Sequence, residues 1–143
     1  MAQNEAGPIL PVSNDELPSI IKSQIHASLA MMREAIEECP DEVWLGGTHP
    51  NAFWQIAYHT LFTAHVYLHP TLKEFRPWAG HQADVQQPDA LRTPVDADGS
   101  LPLLPALYTR TQVLELWSVC EQMVDEAIDS FDLESEECGF SWY

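Results

Sequence analysis

The chain has 143 residues, room for one domain spanning 1–143 and too few for a second independent core. Its 22 acidic residues against 6 basic ones give a formal charge of −16, which excludes a protein that neutralises a nucleic-acid backbone by itself. With 45% apolar and 20% charged residues the composition supports a folded core, and no apolar run approaches the roughly 20 residues of a membrane span. The N-terminal stretch has neither a basic nor a long apolar segment of the signal-peptide kind. Cys39, Cys120 and Cys138 are odd in number and without C-x-x-C spacing. A cytoplasmic protein with no nucleic-acid and no membrane partner is the expectation.

The first helix is signalled at Ser13-Asn14-Asp15-Glu16, where a side-chain oxygen and a Glu three residues on can satisfy the orphan amides of a helix start, with Pro18 tolerated in the first turn. Leu17, Ile21, Ile25, Ser28, Met32, Ala35 and Cys39 recur at steps of four and three, an amphipathic stripe over about six turns, and Cys39-Pro40 ends it. His26 flanks this stripe and is read as a helix-flank histidine without a ligand role.

The second helix is expected from a cap at Thr48 or His49, with Pro50 in its first turn, through Ala52 to Leu68 and an end at His69-Pro70. Apolar and aromatic residues occur on nearly every side of it, the pattern of a helix surrounded by others. From Pro70 to Tyr108 six prolines interrupt any apolar period, so a long proline-rich loop is expected there. Phe75, Trp78 and Leu91 are placed to pin it to the helices, and Asp98-Gly99 to turn a small hairpin. The third helix starts near Thr109 and carries Val113, Trp117, Cys120, Val124, Ala127, Ile128 and Phe131 on one stripe. Residues 111–143 hold nine acids and no Lys, Arg or His, so this segment calls for something basic beside it.

Chemistry is concentrated in histidine. There is no G-x-S-x-G and no glycine-rich phosphate loop, and Cys120 on a core stripe reads as an inert thiol. His65 and His69, at i and i+4, lie about 40° apart around the axis and can chelate a divalent ion through neutral imidazoles. His59 is turned about 80° to 120° from that pair, onto the face of Ala52, Ile56, Thr63 and Val66, read as an inner face on which a hydrogen-bonded histidine is the ordinary occupant.

Two stretches, Cys39 to Trp44 and Asn51 to Phe62 with its Ala57-Tyr58-His59-Thr60-Leu61 run, resemble the first two helices of the DinB-like family, also described as YfiT-like metal-dependent hydrolases. Tyr108-Thr109-Arg110 leading into Val113 to Leu116 resembles the same family's approach to its third helix. The resemblance implies an all-α fold, a DinB-like four-helix bundle of up-down helices with the long proline-rich loop between the second and third. It implies His59 as one of three ligands to a divalent metal ion, Zn or Ni, the other two coming from a His-x-x-x-His on a fourth helix. The sequence reaches Tyr143 about where that helix is expected, so the domain and its metal site are expected to be incomplete and the ion held at low occupancy. The implied activity is that of a metal-dependent hydrolase or thiol-dependent S-transferase on a small-molecule thiol or electrophile. The competing expectation is a non-catalytic helical module that forms a homodimer through the face a fourth helix leaves open.

Overall fold

The computed structural model describes residues 13–46, 49, 51–83, 85, 107–135, 137, 139 and 140. Among these residues the chain is all-helical, with α1 (Leu17–Glu38), α2 (Asp41–Leu45), α3 (Phe53–Tyr67) and α4 (Arg110–Ser130). The side-chain cap expected at Ser13 is not formed: the N-cap of α1 is Glu16, without a side-chain capping hydrogen bond. Ser13 closes the turn before it, its carbonyl accepting from the Glu16 and Leu17 amides and its hydroxyl donating to the Glu16 carboxylate at 2.9 Å. At α4 the Thr109 hydroxyl accepts from the Gln112 amide and Gln112 Oε1 accepts from the Thr109 amide at 2.9 Å, a reciprocal cap.

Two further expectations are corrected. The short α2 is an additional element, begun by Pro40 and held by Trp44, whose indole donates to the Tyr108 carbonyl at 3.2 Å. The start of α3 is not made by a residue 48 or 49 cap. Gln55 Oε1 accepts from the Ala52 amide at 2.7 Å, and His49 Nδ1 accepts from the Asn51 amide one residue earlier, so the helix begins at Phe53. The Leu91 and Asp98-Gly99 expectations fall outside the described residues.

The helix that packs against both other long helices is α4, not α3 as the apolar circumference of residues 53–68 implies. The α4 stripe of Val113, Leu116, Cys120 and Val124 is fully buried, between Leu29 and Ile36 of α1 and Trp54, Ala57 and Leu61 of α3. The seam with α1 is fastened by polar groups at its edge. Trp117 Nε1 donates to the Leu29 carbonyl at 2.6 Å, and Arg110 donates to the Ile36 carbonyl at 3.0 Å and to Asp41 at 2.6 Å.

The apolar circumference of α3 has a different origin: the segment after it folds back over its far side. Phe75 meets Phe62 edge-on at 5.5 Å, Trp78 tilts against Tyr108 at 5.9 Å, and Val85 is buried in the same core. Phe75 and Trp78 thus pin the loop. Gly80 lies under the Trp78 ring, where any Cβ would collide with the indole.

Candidate functional site

The closed side of α3 is a wall of rings. Tyr58 stacks on Tyr108 with centroids 4.3 Å apart, and its hydroxyl is hydrogen-bonded to His81 Nδ1 at 2.5 Å. Phe62 stacks on the same imidazole at 4.9 Å. Tyr108 closes the wall by donating its hydroxyl to the Gly80 carbonyl at 3.0 Å and accepting from the Gln82 amide at 2.8 Å. Burial, then the neighbouring Tyr108 hydroxyl, pushes the Tyr58 phenol far above its usual range, so it stays protonated.

His65 and His69 come together at the end of α3, as their spacing requires, with ring centroids 5.1 Å apart and Phe75 edge-on to each at 5.3 Å. His69 Nδ1 donates to the His65 carbonyl at 2.8 Å, the tautomer that leaves Nε2 with its lone pair. His65 is 3% exposed, and its Nδ1 is buried with no hydrogen-bond partner among the described residues. Burial, helped by His69, pulls its pKa down to about 4, so the imidazole is neutral at physiological pH. His69 also borders a cavity of about 340 Å³ closed by Ser130, Asp132, Glu137 and Phe140, the last packed on Tyr67 at 5.0 Å. Gly139 permits that return, because a Cβ there would run into the Pro70 carbonyl.

His59 lies on the same helix, turned away from the His65–His69 pair. It is half-buried, on a face where Ala52 and Val66 are buried and Ile56 is 41% exposed, so this face runs from the core to the margin of the molecule. Among the described residues no group of three or more His, Cys, Asp or Glu side chains is arranged to hold a metal ion. Cys120 is fully buried, its thiol pushed up to about 12 by desolvation and its Sγ 3.5 Å from the Leu61 carbonyl, in keeping with an inert core residue. Cys39 is buried beside the start of α2 with its thiol also raised by desolvation, and Cys138 lies outside the described residues.

His26, given no role from sequence, bridges two helices. Its Nδ1 lies 2.7 Å from Glu121 and its Nε2 3.0 Å from Asp125, and Lys22 one turn earlier contacts Asp129 at 2.6 Å. The basic company that the acidic α4 calls for is therefore supplied in part by α1. A signal for this existed: Lys22 and His26 are spaced i and i+4, as are the pairs Glu121, Asp125 and Asp125, Asp129.

A further concavity is a groove between α1 and α3, which make at most a marginal direct contact. Two adjoining cavities of about 340 and 250 Å³ share Ile25, Leu29 and Ala64 as walls. One runs on to Phe131 at the end of α4, the other to Met32 and Thr60. No helix among the described residues is long and apolar enough to cross a membrane. Comparison with family models, with curated proteins and with solved structures finds no match to this chain.

Proposed function

We propose that this chain is a DinB-like helical-bundle protein acting as a metal-dependent hydrolase or thiol-dependent S-transferase on a small thiol or electrophile, with His59 as its own ligand to a Zn or Ni ion. The observation that carries this reading is the groove: α1, α3 and the end of α4 border an apolar concavity, and the helix carrying His59 forms one of its walls. A helical surface laid there, a fourth helix or one from a second copy, brings its own side chains up to the margin on which His59 sits. Zinc sites take three or four ligands, and the described residues set no second and third beside His59, so binding by this chain alone is weak. A bound divalent ion supplies a lowered pKa to a coordinated water or thiol, the chemistry common to both reaction classes.

The test is titration with Zn²⁺ and Ni²⁺ followed calorimetrically, with His59→Ala and His65→Ala beside the unaltered chain. Weak, substoichiometric binding that His59→Ala removes and His65→Ala leaves in place supports the reading. Tight binding that survives His59→Ala and is lost in His65→Ala assigns the ion to the His65–His69 pair and overturns it.

A further inference from the structure

We propose that the α1–α3 groove is a self-association face, closed in solution by the same face of a second copy of this chain. The inference stands on charge and shape and is independent of any metal at His59.

The two cavities of the groove are walled by apolar side chains and by Gln24, Ser28 and Thr60, with no charged residue among those that line them. In a chain with 22 acids against 6 bases this neutrality is informative. Glu115, Asp125, Glu126, Asp129 and Asp132 are exposed along α4 and just past its end. A basic partner is drawn to those carboxylates and finds no counter-charge in the groove. A second copy is repelled by the exposed acids of α4 and meets no like charge among the residues that line the cavities, with Glu34 and Glu38 at the far end of α1 as the nearest carboxylates beside Met31. The groove is therefore the face at which two strongly acidic copies approach with fewest carboxylates together.

The apolar surface also continues past the cavities. Met31 is 71% exposed and lies three residues from Ser28, on the groove side of α1, and Ile56 is 41% exposed one turn from Thr60. In an isologous contact each copy offers the same elements, so the Met31 of one enters the groove of the other, a role suited to an unbranched and adaptable side chain. From Ile56 to Tyr67 the α3 wall is roughly 17 Å long, and two helices side by side span roughly 20 Å. That projects to on the order of 350 Å², the size at which apolar patches carry function, but well short of the roughly 800 Å² per partner of a standard interface. The association is therefore weak and reversible, populated only at high protein concentration.

Sedimentation equilibrium from about 1 to about 200 µM protein tests this on the unaltered chain, Met31→Glu, Ser28→Glu and Ala30→Glu. All three positions are exposed, so each variant keeps its helical circular dichroism. The expected result is a reversible dimer that tightens between about 50 and about 500 mM salt, as repulsion between the acidic remainders is screened. Met31→Glu and Ser28→Glu weaken it at least tenfold, and Ala30→Glu, away from the groove on α1, leaves it within about twofold. A chain that stays monomeric at about 200 µM overturns the proposal. So does a dimer that loosens with salt, is unmoved by both groove variants, or is weakened equally by Ala30→Glu.

Discussion

The two sides of α3 are built from the same helix and finished in opposite ways. Toward the loop, Tyr58 is inaccessible, with Phe62 and His81 against its ring, Phe75 edge-on to Phe62 and Trp78 against Tyr108, while Trp54 beside it is equally buried with its edge to Tyr108. Toward α1, Ile56 is exposed and Thr60 and Ala64 border an open groove. The closed side is covered by a segment of the same chain close in sequence, so its cost in ordering entropy is paid once, on folding. The open side has no such cover among the described residues. Hydrophobicity along a helix therefore states how much surface needs covering, and does not say whether the cover is another part of the chain.

That contrast is broken or sharpened by substitution. The largest effect is expected from Trp54→Ala, which removes a buried indole and its edge-on contact with Tyr108 and should cost about 3 to 5 kcal/mol in urea denaturation. Ile56→Ala, on the open side, should stay within about 0.5 kcal/mol when measured on dissociated chain. A similar loss at both positions would show that the groove side is packed after all. Next in size is a reversal of sign between two alanines of α3. Ala57→Leu, one heptad before Ala64 on the same face but packed against α4, overpacks a fully buried position and should destabilise by about 1 to 3 kcal/mol. Ala64→Leu grows into the cavities it lines and should stabilise by about 0.5 to 1 kcal/mol. Tyr108→Phe follows, at about 1 to 2 kcal/mol, because it strips a hydroxyl that serves both the Gly80 carbonyl and the Gln82 amide; chemical denaturation of the variant reads it directly.

The smallest effect belongs to the charged seam between α1 and α4. Asp125 and then Glu121 raise the His26 pKa above its ordinary 6.5, so its contribution is complete below that pH and is lost as pH rises through the raised value. His26 in turn, aided by Lys22, lowers the Asp125 pKa, so that contribution is present above the ordinary 3.8 and is lost as pH falls through the lowered value. Thermal melts between these limits and at alkaline pH should show a small loss of stability on raising the pH, absent in His26→Ala. A profile unchanged by His26→Ala would mean the seam is held by its apolar stripe alone.

How much of this was legible in the sequence differs by element. α1 and α4 follow from a 3.6-residue period that their tertiary partners reinforce, and their boundaries are written in Pro40 and Thr109. α2 is too short to show a period, and depends on Trp44 reaching a carbonyl 64 residues away. The His65–His69 contact is local and was readable; the Tyr58–His81 hydrogen bond joins residues 23 apart across a loop, and no spacing rule reaches it. His59 stands out from other helical histidines only through resemblance, because its surroundings are decided by whatever lies over the margin it occupies.

The central claim is that the α1–α3 side is the working face of the molecule, and Met31 reports on it most directly. Hydroxyl-radical footprinting at about 1 and about 200 µM protein compares the oxidation rate of this 71% exposed methionine with that of Met123, half-buried on α4. A several-fold fall at Met31 with rising concentration, at constant Met123 reactivity, is the predicted result. Equal Met31 oxidation at both concentrations would contradict it.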